Sequence, residues 1–208
     1  MTAYRILIYC PDQHILYRAD TPDTEGVGGG VTARIRLACS LAKLGHRVTM
    51  ISHVPHPHTH QGVEFLPLDA RDQPRSVDVL LMTTSGDQLS LESARNLPVE
   101  ADLRLVWTHG IIPIQGLDTL DYDYLVAVSN FIRGVAENKW GLPQEKVIVT
   151  YNGLTLYPQQ RRFWQASPAR DPFSLIYTSH PSKGLEAALG VLRLLREKDP
   201  RYSLHVYG

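Results

Sequence analysis

Short runs of apolar residues recur along the chain, and they are continuous rather than alternating: RILIYC (5–10), RVTMIS (47–52), VEFLPL (63–68), VDVLLMTT (77–84), LRLVWT (103–108), YLVAVS (124–129) and KVIVTY (146–151). A strand with one wet face alternates apolar and polar side chains. A strand apolar throughout must be covered on both faces, which is the environment of a parallel sheet between helical layers. Helical patterns fall between the runs. In 31–44, Val31, Ile35, Ala38 and Ala42 form one stripe and Leu37, Leu41 and Leu44 its neighbour, with Arg36, Ser40 and Lys43 outside and Gly45 as the stop. A second helix is expected over 130–139 and a weaker one near 89–96. This β-then-α rhythm predicts an α/β fold, a doubly wound parallel sheet.

The rhythm breaks at LYPQQRRFWQASPARDP (156–172), polar and proline-containing. We expect a first domain over 1–157, a linker over 158–172, and a second α/β unit beginning at 173. That unit reads as FSLIYTSH (173–180), a helix over 183–197 with Leu185, Ala188, Leu189, Leu192 and Leu195 on one face, and YSLHVYG (202–208). One β-α-β unit cannot bury its own faces, so 173–208 is expected to be the start of an incomplete second domain with part of its helix exposed.

Composition excludes several classes of protein. The 208 residues carry 21 basic and 21 acidic side chains. That balance gives no bulk attraction to nucleic acid, and none is expected as a partner. No stretch approaches the ~20 apolar residues of a membrane span, although peripheral membrane contact stays open. Cys10 and Cys39 both sit inside apolar patterns and read as core residues of a reducing, cytoplasmic compartment.

EGVGGGVTARIRL (25–37) places Gly26, Gly28, Gly29 and Gly30 directly before the first helix. Glycine adds nothing to a core, so such a run marks either close backbone approach by a ligand or a loose loop. Backbone N–H groups at a helix N-terminus suit a diphosphate. A nicotinamide site is disfavoured: residues 11–25 separate the run from the first strand, and the second strand ends Ser52-His53 without the acidic residue that holds a ribose. His53, His56, His58 and His60 lie in HVPHPHTH, which reads as an exposed loop rather than a metal site. Asp121-Tyr122-Asp123 precedes a strand and so falls at its amino end, away from the edge where such sheets bind ligands. His109 closes LRLVWT at the carboxyl end, as a reactive or a merely structural histidine. Ser129-Asn130 holds the equivalent place one strand on, as ligand contacts or as a helix cap. Lys183 begins the last helix, where a cation is unfavourable unless an anion is bound.

Five segments in order resemble the family-4 glycosyltransferases, retaining enzymes of the two-domain GT-B fold. GVGGGVTARIRLACSLAKLGHRVTMIS looks like the family's glycine loop, first helix and second strand, and LRLVWTHG like the strand that ends in its active-site histidine. YLVAVSNFIRGVAENKWGLPQEKVIVTYNGL is similar to the stretch closing the N-terminal Rossmann-like domain. SLIYTSHPSKGLEAALGVLRLL and LHVYG resemble the opening of the C-terminal donor domain.

The resemblance implies transfer of a sugar from a nucleotide-sugar donor to an acceptor, with retention; the acceptor's class (glycan, lipid or small molecule) is unspecified. Carried over, His109 is the catalytic candidate, and Gly28, Gly29, Gly30, Ser129 and Lys183 are the donor-binding candidates. No cofactor or metal is expected, since the nucleotide sugar is a substrate. Many relatives have an arginine five places before that lysine, where this chain has Thr178. The family's paired-glutamate motif has no counterpart in 1–208, which suggests the alternative of a catalytically incomplete fragment or a partner-dependent nucleotide-sugar-binding subunit.

Overall fold

The computed structural model describes residues 2–25, 27–84, 89–153, 171–179 and 181–207. The chain separates into two compact units, Met1–Gly153 and Leu154–Gly208. Of the expected linker over 158–172, all but the last two residues lie outside the described ones.

The first unit is built on an eight-stranded sheet. Its strands are β1 (Arg5–Tyr9), β2 (Arg47–Ile51), β3 (His58–His60), β4 (Val63–Leu66), β5 (Arg75–Thr83), β6 (Val99–Thr108), β7 (Tyr124–Ala127) and β8 (Val147–Val149), in the order β3-β4-β2-β1-β5-β6-β7-β8. All neighbours pair in parallel except β3, which is antiparallel to β4. The order runs outward from β1 in both directions, so β1 and β5 flank the switch point of a doubly wound sheet. Loops leaving their carboxyl ends diverge there and open a crevice.

Both sheet faces are covered, as the continuous apolar runs require. On one face Ile6, Ile8, Val48, Met50, Phe65, Leu81 and Trp107 pack against Val31, Ile35, Ala38 and Cys39 of a long helix. A one-turn helix α1 (Thr21–Thr24) precedes that helix, α2 (Gly29–Lys43). α2 stops at Gly45, whose φ of +94° is accessible to glycine at little cost. On the other face Leu7, Tyr9, Leu80, Met82, Val106 and Leu125 pack against Leu91, Ile114, Leu117 and the helix α3 (Asn130–Asn138).

Three expectations need correction. The weak helix near 89–96 is only a 3-10 turn at Glu92–Ala94. Leu91 and Ala94 supply the burial, but too few apolar positions repeat for a full amphipathic helix. The histidine tract is not wholly loop, since His58–His60 form β3. Gln61 (φ +46°) and Gly62 (φ +80°) make the two-residue hairpin turn that folds β3 onto β4. The first helix begins at Gly29, inside the glycine run.

In the second unit, β9 (Ser174–Tyr177) and β10 (Ser203–Val206) pair in parallel around the helix α4 (Leu185–Lys198). None of the helix residues is buried, and Leu189, Val191 and Leu194 are exposed.

Candidate functional site

The carboxyl edge of the first sheet collects most of the residues singled out from sequence. Gly28 caps α2 with ordinary extended angles (φ −59°, ψ 149°) and has no side chain to satisfy the helix's first N–H groups; Gly29 and Gly30 open the helix. Those donors and the helix dipole make the edge attractive to an anion. A Cβ built on Gly28 or on Gly29 would meet no atom within 4 Å. Neither residue is glycine because the chain's own packing demands it.

His109 leaves the end of β6 with its ring 4.4 Å from that of Trp107. Its Nε2 lies 3.2 Å from Asn152 Oδ1, so the imidazole donates from Nε2 and bears its lone pair on Nδ1. Nδ1 is buried without a partner. Burial, above all, holds the His109 pKa below the ordinary histidine value; Arg34 adds to this, and the Asn152 hydrogen bond opposes it. Exposed apolar side chains follow the strands that end at this edge: Ile111 and Ile112 after β6, Phe131 at the start of α3 and Tyr151 after β8. Tyr151 accepts a hydrogen bond from Asn130 at 3.2 Å.

Ser129 also sits on this edge, between β7 and α3. Its hydroxyl accepts from the Ile132 N–H at 3.2 Å and so caps the helix, which is the structural role weighed for it from sequence. Lys183 belongs to the second unit, in the 3-10 turn Pro181–Lys183 before α4. Asp121 and Asp123 lie before β7 and bind Arg104, through an ion pair at 3.4 Å and a backbone hydrogen bond at 2.7 Å. His58 stacks on Phe65 with ring centroids 5.1 Å apart, and the His53 ring bonds the Ile15 carbonyl. Among the described residues, no three His, Cys, Asp or Glu side chains converge on a common metal position.

Sequence reasoning missed the group at the switch point itself. Asp12, just beyond β1, is buried and forms an ion pair with Arg34 of α2 at 2.8 Å, both side chains nearly inaccessible. Thr84, just beyond β5, donates to the other Asp12 oxygen at 2.5 Å. Cys10 also contacts Arg34, and burial pushes its thiol pKa up to about 12, so it remains a neutral thiol rather than a nucleophile. A signal was present: Arg34 falls between Val31 and Ala38 on the apolar stripe of α2. A cation on a buried stripe requires an anionic partner.

A cavity of about 280 Å³ opens at the opposite, amino-terminal edge, lined in part by Arg5, Arg47 and Arg75. Arg5 is engaged there by Asp78 at 2.6 Å.

No family model matches the chain, and no curated protein matches it. Eight chains of solved structures do. One is a glycosyltransferase from Rickettsia africae ESF-5, at 14% identity and a TM-score of 0.53, with the match covering 100% of this chain and 69% of that one. At that identity the likeness is one of fold: the chain shares a Rossmann-like α/β fold with that structure.

Proposed function

We propose that the chain takes part in glycosyl transfer, binding a nucleotide-sugar donor at the carboxyl edge of its first sheet and passing the sugar to an acceptor with retention. The observation that carries the reading is the glycine pair. Gly28 and Gly29 have ordinary backbone angles and empty space where side chains would stand, at the uncapped N-terminus of a fifteen-residue helix. Space kept clear beside orphan N–H donors suits the close approach of a diphosphate.

In this reading Gly28, Gly29 and Gly30 offer backbone donors to the diphosphate, and developing charge on the leaving group is stabilised by groups already in place. His109 faces the donor sugar. Its ring is held neutral by burial and oriented by Asn152, so it acts as a hydrogen-bonding group rather than as a cation. Ser129 stands one strand away as a further donor contact, and Lys183 is the phosphate-binding cation of the second unit. The acceptor (glycan, lipid or small molecule) meets the apolar rim of Ile111, Ile112, Phe131 and Tyr151. No metal or cofactor enters the scheme.

The test is titration of the chain with UDP-, GDP- and ADP-sugars by calorimetry, followed by turnover of whichever binds. Saturable binding that weakens in His109→Ala and Gly29→Val supports the reading. Absence of binding to the whole panel, or binding indifferent to both substitutions, refutes it.

A further inference from the structure

Buried polar atoms without a hydrogen-bond partner concentrate at one place in this molecule. Among the described residues they are Arg34 Nε and Nη2, Tyr17 Oη, Ser52 Oγ, Thr83 Oγ1, His109 Nδ1 and, at the far edge of the sheet, Arg75 Nε. All but the last belong to the carboxyl edge beneath α2. Register places them together: Tyr9 of β1 pairs with both Ile51 and Met82, so Cys10, Ser52 and Thr83 form the next row. That row points to the face on which Ile8, Met50 and Leu81 pack against α2. The Tyr17 and Ser52 hydroxyls adjoin each other there without a well-formed hydrogen bond.

The chemistry of this group centres on Arg34. Arg34 uses only Nη1 toward Asp12 and Cys10, which leaves the Nε–H and Nη2–H edge of the guanidinium unoccupied. Those two N–H groups are parallel and form the fork that fits a carboxylate or phosphoryl group with two hydrogen bonds. The hydroxyls of Ser52, Thr83 and Tyr17 can donate or accept, and His109 Nδ1 only accepts. The Arg34 edge alone is donor-only, and a donor-only fork is met best by an oxyanion, toward which the neighbouring hydroxyls can turn their protons. Helical side chains lean toward their own N-terminus, and Arg34 lies one turn after Gly30 in a helix whose first N–H groups have no side-chain cap.

We propose that Arg34 is an oxyanion-binding residue, presenting its Nε/Nη2 edge to a phosphoryl or carboxylate group beneath the N-terminus of α2, with the Thr83 and Ser52 hydroxyls as supporting donors. The Asp12–Thr84 pair fixes the far end of the guanidinium, so the fork is oriented before the ligand arrives. The Nε and Nη2 atoms are covered by protein, so an oxyanion reaches them through a local opening of the surrounding chain that keeps the Asp12 contact. The inference deepens the transfer reading and rests on it only for the identity of the ligand as the donor.

The test is ¹⁵N–¹H spectroscopy of the arginine Nε–H signals of the whole chain, the Arg34 signal being assigned by its loss in Arg34→Lys. Inorganic pyrophosphate, malonate and glucose serve as phosphoryl, carboxylate and neutral probes. Pyrophosphate or malonate should move the Arg34 signal saturably, and whichever does so names the source of the oxyanion. Arg34→Lys keeps the charge but loses the fork, and should weaken that probe at least about tenfold. Thr83→Val leaves the Arg34–Asp12 pair intact and should weaken it about threefold or more, which keeps the proposal exposed if Arg34→Lys does not fold. An Arg34 signal unmoved by both anions, a response to glucose alone, or unchanged affinity in both variants would overturn it. Failure of every nucleotide sugar to bind while an anion still moves Arg34 would remove the transfer reading and leave this one standing.

Discussion

His109 and Asn152, 43 positions apart in sequence, meet through a hydrogen bond of 3.2 Å that turns the free lone pair of the imidazole into the interior. β6 delivers one residue and the segment after β8 the other, so the bond ties two loops of the carboxyl edge together. Asn152→Ala removes a single neutral hydrogen bond of about 0.5–1.5 kcal/mol and frees the ring to change tautomer. We expect donor turnover to fall by up to about tenfold with little change in the melting temperature. A variant that turns over normally would show that the orientation of His109 is irrelevant.

Burial and the Arg34 charge lower the folded-state pKa of His109, and this has a consequence for stability against pH. The unfolded chain binds a proton at His109 more readily than the native one does, so stability rises with pH through that window. The contribution is complete above the ordinary histidine value of about 6.5 and is lost as pH falls toward the lowered folded value. His109→Asn should flatten the slope of urea-derived stability in the range just below about pH 6.5. An identical slope in the variant would place the titration elsewhere.

Breaking the Arg34–Asp12 pair should be the costliest single change at the switch point. Asp12→Ala leaves a buried guanidinium with no compensating charge, and such losses run at about 3–5 kcal/mol. Denaturant unfolding measures this directly. A loss below about 1 kcal/mol would mean that water or a rearranged side chain takes the place of Asp12.

How much of this was legible in the sequence follows from the range over which each signal acts. The parallel sheet was legible because a strand covered on both faces needs apolar residues at every position, which a single sequence displays. α2 was legible for the same reason, through its stripe at Val31, Ile35 and Ala38. Crossovers made of 3-10 turns were not, since Leu91, Ile114 and Leu117 are buried singly and leave no period. The site divided similarly. Gly28, Gly29 and His109 stand in local patterns, whereas Asp12, Thr84 and Arg34 come from three segments whose meeting depends on strand order. The sequence carried the residues but not their adjacency.

Ser129 has a measurable part in the fold whatever it does for a ligand. Its side-chain oxygen caps α3, so Ser129→Ala should cost about 0.5–2 kcal/mol of stability, while Ser129→Asp should retain most of it because aspartate caps equally well. Equal losses in both variants would show that the cap contributes little and that the hydroxyl is needed for something else.

Gly29 offers the sharpest separation of fold from function. A glycine required by the fold shows a positive φ or a neighbour too close for a methyl group, and its replacement by alanine destabilises. Gly29 lies in the first turn of α2 with nothing within 4 Å of where a Cβ would stand. Alanine removes conformational freedom from the unfolded chain and has the higher helix propensity, so Gly29→Ala should raise stability by up to about 1 kcal/mol. The same methyl group would stand in the space that a diphosphate must enter to reach the helix N–H groups. Hydrogen bonds to a charged acceptor are worth about 1.5–3 kcal/mol, so holding the ligand off should weaken binding by about ten- to a hundredfold. The two measurements therefore move in opposite directions, with the melting temperature unchanged or higher and donor affinity lower. A variant that loses stability and affinity together would return the glycines to a structural role. One that gains stability and binds as tightly as the parent would place the ligand away from this loop.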